Sequence, residues 1–230
     1  KSSSGACKLA DAQGTRLHLL HLSSALEMAL LENTIPLQQK KITGEVCVHH
    51  LWFTDKDYEE KGNFIKWNPA IKSAADKQAL WNALHDGRID VIASDHAPHT
   101  ISEKQNPYLK APSGGPLVQH SLAAMLECFH RKQISLETIV HKMCHAPAIC
   151  FNVEKRGFIR PGYYADMVIA DLESPWQVDN TNILSKCGWS PFEGTTFNSQ
   201  ITHTFVNGNL IYDQGRFSED VKGKRLIFYH

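Results

Sequence analysis

The sequence lacks long apolar runs, and it has no excess of either charge. Apolar runs such as residues 91–93 and 167–170 fall far short of the ~20 residues that a membrane span needs. Residues 1–5 have no apolar core of a secretory signal. Lys plus Arg and Asp plus Glu each total 24, so no basic field attracts nucleic acid. We therefore expect a cytoplasmic protein that binds a small molecule, without nucleic acid or membrane.

Paired cysteine motifs are also absent. None of the six cysteines forms a C-x-x-C pair, which argues against a zinc ribbon and a compact disulfide framework. We predict reduced, mostly buried thiols. Histidine, in contrast, is abundant, with thirteen among 230 residues. Because imidazole is the commonest metal ligand, this excess hints at a metal site.

The first part of the chain alternates strand-like and helical patterns. Alternating strands and helices predict βα units on a parallel sheet, in which functional residues lie at the carboxyl ends of the strands. The predicted strands are residues 17–22, 45–53 and 89–94, and the predicted helices are residues 25–31, 74–84, 117–130 and 136–144.

After about residue 158 the pattern changes to short strands separated by turn residues. Strand-like runs cover residues 165–171, 201–206 and 210–212, and Asn207-Gly208 predicts a hairpin turn between the last two. We predict two domains, an α/β region over residues 1–158 and a small β domain over residues 159–230.

Asp95 follows the apolar run 91–93, so a strand would deliver its carboxylate to the edge of the sheet. A carboxylate in that position can bind a metal or transfer a proton. A lone Asp after a strand more often caps a turn, but His96 and His99 in the string Asp-His-Ala-Pro-His favour chemistry.

Two other strand ends carry histidine. Alternation along a strand would place His18 and His21 on opposite faces, so at most one should point to a shared centre. Taken alone, His21 is more often a packed or capping residue than a ligand. The adjacent His49 and His50 present the same ambiguity.

Several of these strings together resemble those of dihydroorotases, enzymes of the amidohydrolase superfamily, in order and in approximate spacing. The resemblance covers nearly the whole chain, and residues 93–99, Ala-Ser-Asp-His-Ala-Pro-His, are its most specific part. The other matching strings are residues 17–23, 45–51, 66–69, 104–115 and 188–194.

The resemblance implies a fold and a site. The fold would be the carboxyl-terminal part, about strands 6–8, of a metal-dependent (β/α)8 TIM barrel, with a small β-sandwich-type appendage. His21 would be a metal ligand, and Asp95 both a ligand and the catalytic proton shuttle. The implied substrate binders are Asn68, His99, Ser113 and Gly114. From the sequence alone, Asn68 can also be a turn residue before Pro69.

Parts of the family's centre have no counterpart here. The H-x-H pair, the carboxylated lysine and the fifth-strand histidine are not identifiable, which we interpret as truncation. We expect the missing amino-terminal half of the barrel to exist in the same or another chain. Without it, apolar strand faces and strand edges would be exposed, so the fragment alone would be unstable and inactive.

The implied activity is reversible hydrolysis of dihydroorotate to N-carbamoyl-aspartate in pyrimidine biosynthesis, by metal-activated hydroxide. The implied cofactor is a binuclear zinc centre, with other divalent metals as alternatives. The implied assembly is a homodimer, with other pyrimidine-pathway enzymes as candidate partners. Two rival hypotheses are another cyclic amidohydrolase, acting on hydantoin, dihydropyrimidine or allantoin, and a non-catalytic dihydroorotase-like scaffold subunit.

Overall fold

The computed structural model describes residues 1–229, and His230, the last residue of the predicted β domain, lies outside the described residues. The chain forms two compact units. The first comprises Lys1–Leu122 and Val178–Thr195, and the second comprises Ala123–Gln177 and the chain from Thr196 onward. The predicted boundary at residue 158 falls inside the second unit, and the division into a barrel segment and a β domain stays a prediction.

Nine strands occur in the described chain: β1 Leu17–Leu19, β2 Ile42–Cys47, β3 Val91–Ala93, β4 Met167–Asp171, β5 Trp176–Gln177, β6 Thr196–Phe197, β7 Gln200–Val206, β8 Asn209–Asp213 and β9 Arg216–Phe217. The α-helices are α1 Ser2–Gln13, α2 Val48–Trp52, α3 Tyr58–Lys61, α4 Ala74–His85, α5 Ile101–Lys104, α6 Ser121–His130, α7 Leu136–Val140 and α8 Ala146–Cys150. The 3-10 helices are Ala25–Leu30, Leu37–Gln39, Asp55–Asp57 and Gly62–Ile65, and His141–His145 is a π-helix.

The first unit is built on a parallel sheet in the order β1-β2-β3. Leu17 pairs with Ile42, and Glu45 pairs with Val91, both in parallel. The central strand β2 is covered on both faces, and its residues Val46 and Cys47 have no exposed surface. This confirms the predicted α/β arrangement and brings the carboxyl ends of all three strands to one edge.

All three predicted strands of the first unit are shorter than expected, and β3 covers only Val91–Ala93 of the predicted run 89–94. β1 ends at Leu19, so strand alternation does not govern the direction of His21. The run 45–53, predicted to be a single strand, stops at Cys47 and turns into α2. Side chains of α4 satisfy the end of α2, because Trp81 Nε1 donates to the Leu51 carbonyl and Lys77 Nζ donates to the Trp52 carbonyl.

The first predicted helix is also present in a modified form. The segment that follows Ser24 is the 3-10 helix Ala25–Leu30 rather than an α-helix. Ser24 and Glu27 form a capping box at its start, and the Ser3 hydroxyl also donates to Glu27.

The second unit contains the antiparallel sheet β4-β7-β8-β9 and the pair β5-β6. Asn207 and Gly208 have φ angles of 53° and 82°, which is the geometry of a type I′ turn between β7 and β8. The predicted hairpin is therefore confirmed, because this turn matches the twist of the two strands.

A buried ion pair ties β2 to the segment before β3. Lys40 Nζ lies 2.8 Å from Asp90 Oδ1 and also donates to the Gly87 carbonyl, while Asp90 Oδ2 accepts from the Gly44 amide. Both charged side chains are only 3% exposed. Loss of either partner would leave an uncompensated buried charge.

We expect Lys40→Met to lower the free energy of unfolding by about 3–5 kcal/mol, because it leaves the buried Asp90 carboxylate without its ion-pair partner. The exposed neighbour Lys41 gives a matched control, and Lys41→Met should change stability by less than about 0.5 kcal/mol. Chemical unfolding of the two variants beside the wild type measures the difference, and equal stabilities would contradict the structural role of the pair.

Candidate functional site

His21 and Asp95 leave the sheet in the same unusual backbone conformation. Each follows its strand by two residues, and their φ angles are 40° and 47°, in the left-handed region that side chains other than glycine seldom occupy. Such strain persists where the surrounding structure imposes it, and it is often found at functional sites. The two residues flank β2, whose carboxyl end lies between theirs.

The charges of this sheet edge act on Asp95. Burial raises the pKa of the Asp95 carboxyl, the charge of His21 lowers it, and the charge of Glu45 raises it further. Glu45 Oε1 also accepts the His21 backbone N–H at 3.4 Å. An imidazole and two carboxylates therefore share one half-buried site, which is suited to holding a cation and to moving protons.

The Glu45 carboxylate was not among the predicted site residues. Its signal in the sequence is that it is the one charged residue of the strand β2. Glu45 Oε2 pairs with His18 Nε2 at 3.2 Å, and His18 Nδ1 lies 2.8 Å from Thr43 Oγ1. Both ring nitrogens of His18 are thus engaged by β2, so His21, rather than His18, is the histidine near the end of β1 that is placed to act at the edge.

Hydrogen bonds fasten the loop after β3 to residues 113–118. His99 Nε2 donates to the Ser113 carbonyl at 3.0 Å, and the Ala97 amide donates to the Gly115 carbonyl. His96 Nδ1 accepts the backbone N–H groups of Leu117 and Val118. The structure therefore brings the predicted binders His99 and Ser113 into direct contact and gives His96 a structural role.

Gly114 and Asn68 belong to the same surroundings. Gly114 has a φ of 120°, and a Cβ there would lie 2.5 Å from the Ala97 carbonyl oxygen, so only glycine fits. The Gly114 amide donates to the Lys66 carbonyl, two residues before Asn68. Asn68 itself is exposed and precedes Pro69 through a cis peptide bond.

Lys104, which the sequence did not single out, joins these segments. Its fully buried ammonium donates to the carbonyls of Gly114, Pro112 and Lys66, at 2.8, 3.0 and 3.3 Å. Burial, with the charge of Lys66, lowers the pKa of Lys104 to about 8. Three backbone carbonyls from two segments thus share one donor, which sets the shape of the loop.

The adjacent His49 and His50 do not point to opposite faces, as strand alternation had suggested. They lie on the helical turn of α2, both rings are buried, and their centroids are 4.2 Å apart. Cys47 lies beside them, and one potential ligand atom from each of Cys47, His49 and His50 lies within 4.8 Å of the others. His21 and Asp95, whose charges interact, are a second set of potential ligands at this edge.

Lys104→Met should remove all three donated bonds and loosen residues 111–118. The Lys66 carbonyl would keep the Gly114 amide as a donor, but the Gly114 and Pro112 carbonyls would lose theirs. Each buried carbonyl left without a donor costs about 1–3 kcal/mol, so we expect a loss of at least about 2 kcal/mol in stability. Amide hydrogen exchange across residues 111–118 should accelerate, whereas Lys110→Met, at an exposed position, should leave it unchanged. Equal exchange in both variants would refute the role of Lys104.

Comparison with known proteins places this geometry in a family. The model of the amidohydrolase family matches residues 6–211. A dihydroorotase of Clostridioides difficile is 33% identical over 208 residues, covering 90% of this chain and 48% of the relative. A dihydroorotase of Latilactobacillus sakei is 35% identical over 212 residues, covering 91% and 49%. The chain spans about half the length of the curated relatives it matches.

Solved structures agree on the fold. The L-hydantoinase of Arthrobacter aurescens superposes with a TM-score of 0.87 at 28% identity, over 94% of this chain and 49% of that one. An inactive dihydroorotase-like domain of a Chaetomium thermophilum multifunctional protein gives a TM-score of 0.67 at 17% identity, over 94% and 57%. No helix among residues 1–229 has the length and apolarity needed to cross a membrane.

Proposed function

The chain belongs to the amidohydrolase family, and from this premise we propose that the complete protein is a dihydroorotase. It would interconvert dihydroorotate and N-carbamoyl-aspartate by opening and closing a cyclic amide. The observation that carries the proposal is the His21–Asp95 pair at the carboxyl edge of the parallel sheet, beside the loop fastened by His99. The names of the curated relatives support the choice of substrate.

We propose a divalent metal, zinc in a binuclear centre, as the cofactor. His21 and Asp95 fit such a group, because an imidazole and a carboxylate are common zinc ligands and the negative charges of Asp95 and Glu45 lie together in a half-buried site. When bound, the metal would polarise the scissile carbonyl and lower the pKa of water.

Asp95 would move the proton of the reaction. In hydrolysis its carboxylate takes the proton from the attacking water and delivers it to the ring nitrogen as the C–N bond breaks. In ring closure the transfer runs in reverse. The raised pKa of Asp95 suits this role, because efficient proton transfer needs a pKa closer to neutrality than that of an ordinary carboxylate.

The loop beside this pair would hold the substrate. Dihydroorotate carries a carboxylate and a ring with amide donors and acceptors. The exposed Asn68 amide and the His99 imidazole would bind these groups, and the backbone around Ser113 and Gly114 would line the ring. Glycine at position 114 lets the loop approach residues 96–99 closely.

Asp95→Ala in the complete protein should reduce kcat by at least about 10²-fold, because it removes the proton carrier and one metal contact. Metal content, measured by elemental analysis, should fall with it. The exposed Asp86 supplies a control, and Asp86→Ala should keep turnover within a factor of about two. Wild-type turnover of dihydroorotate in Asp95→Ala would refute the proposed mechanism.

His99→Ala should raise KM for dihydroorotate with a smaller change in kcat, since His99 is assigned to substrate binding. His99→Gln should recover part of the loss, because its amide can still donate to the Ser113 carbonyl. Steady-state kinetics on both variants and on His85→Ala, an exposed control, provide the test. Unchanged KM and kcat in His99→Ala would remove this residue from the site.

The similarity to a hydantoinase supports a second candidate substrate, hydantoin, which is also a cyclic amide. A substrate panel of dihydroorotate, hydantoin, dihydropyrimidine and allantoin decides between these activities. Turnover of another ring in preference to dihydroorotate would favour a sister amidohydrolase. Absence of turnover on every ring by the metal-loaded protein would favour the scaffold hypothesis.

A further inference from the structure

A cluster of sulfur and nitrogen ligands lies where β2 turns into α2. Cys47 ends the strand, and His49 and His50 lie in the single turn of the helix that follows. All three side chains are buried, with exposures of 0%, 0% and 3%. One ligand atom from each residue, the Cys47 sulfur and a ring nitrogen of each histidine, lies within 4.8 Å of the others.

We propose that Cys47, His49 and His50 bind a transition-metal ion of the zinc type, at a site separate from His21 and Asp95. The proposal does not depend on the catalytic activity of the protein. It follows from the hydrogen-bonding state of the two histidines, from the chemistry of the donor set and from the burial of the cluster.

Hydrogen bonding engages one nitrogen of the His50 ring and leaves the other available to a metal. Its Nε2 lies 3.1 Å from the Pro69 carbonyl oxygen. A carbonyl can only accept, so Nε2 carries the proton and Nδ1 presents a lone pair. Among residues 1–229 no group hydrogen bonds to this buried Nδ1. Histidine ligands characteristically donate the other ring N–H to a carbonyl in this way, which fixes the tautomer and the ring direction.

The His49 ring is buried with no hydrogen-bond partner at either nitrogen within the described chain. It stacks on Trp67, with centroids 4.3 Å apart and planes inclined by 9°, so packing holds the ring in place. An unsatisfied buried polar atom costs about 1–3 kcal/mol, and a metal bound to one nitrogen would remove that cost there. Burial also lowers the pKa of both histidines, to about 4 for His50, so the rings are neutral and able to ligate.

Cys47 gives the site its selectivity. Burial, together with the charges of Glu45 and Asp95, raises the pKa of its thiol, so the free side chain is protonated. Metal binding forms the sulfur–metal bond and releases the thiol proton to solvent. A thiolate with two imidazoles suits zinc or cobalt, whereas magnesium and calcium prefer oxygen ligands.

The geometry requires a modest closure. Zinc–sulfur and zinc–nitrogen bonds of about 2.3 and 2.0 Å place ligand atoms about 3.5 Å apart. The ligand atoms now lie within 4.8 Å of one another, so no separation would have to shrink by more than about 1.3 Å. Three protein ligands leave a fourth position for water or another group.

Cobalt substitution tests whether the Cys47 sulfur binds the metal. The complete protein, stripped of metal and loaded with Co²⁺, should show a near-ultraviolet thiolate-to-cobalt charge-transfer band, which a site of only nitrogen and oxygen ligands cannot give. Cys47→Ala should abolish the band and lower the bound metal by one ion per chain. Cys128→Ala, which removes another buried thiol, should preserve both.

The two less buried thiols supply further controls, because they are the sites of adventitious binding. Cys144→Ser and Cys187→Ser should leave the charge-transfer band unchanged. A band that survives Cys47→Ala, or that disappears with either of these two substitutions, would overturn the assignment.

Wild-type protein alone provides a second test that does not depend on the folding of a variant. X-ray absorption at the zinc edge of the loaded protein should require a zinc–sulfur distance of about 2.3 Å beside the nitrogen and oxygen shells. Spectra fitted fully by nitrogen and oxygen would overturn the proposal, whatever the activity of the protein.

Discussion

Parallel pairing of three strands is the constraint on which the first unit depends. Because β1, β2 and β3 run in the same direction, every strand ends at the same edge, and residues far apart in sequence meet there. His21 follows β1, Glu45 lies in β2 and Asp95 follows β3. The charges of His21 and Glu45 nevertheless shift the pKa of Asp95. In an antiparallel sheet of the same order, the central strand β2 would end at the opposite edge, away from the ends of β1 and β3.

Charged groups hold the segments around this sheet in place. Lys40 and Asp90 form a buried ion pair just before β3. Lys104, in the chain that follows β3, donates hydrogen bonds to three backbone carbonyls. In both cases the lysine side chain takes the place of water as the hydrogen-bond partner of buried polar groups. Removal of the lysine would leave those groups buried without a partner, at the full cost of their desolvation. The segments beside the proposed site are thus held by charged groups to which no chemical role is assigned.

Burial shifts the pKa values in both sets of potential metal ligands at this edge, His21 with Asp95 and Cys47 with His49 and His50. It raises the pKa of Asp95, which favours proton transfer, and it keeps His49 and His50 neutral, which favours metal ligation. Cys47 is buried with them and needs a cation before it can ionise. Exclusion of solvent therefore has an effect at both places. It acts on the half-buried Asp95 beside His21, and on the fully buried cluster of Cys47, His49 and His50.

Sequence patterns alone predicted the three strands of the parallel sheet, the hairpin at Asn207-Gly208, and the position of His21 and Asp95 just after two of those strands. These features follow from local periodicity and turn chemistry, which operate over a few residues. The turn of α2, which places His49 and His50 together, and the three carbonyls around Lys104 were decided only by tertiary structure. The carbonyl partners of Lys104 lie 8, 10 and 38 residues away, and the turn of α2 depends on where β2 ends. Local sequence patterns do not encode these contacts, so only the packed chain forms them.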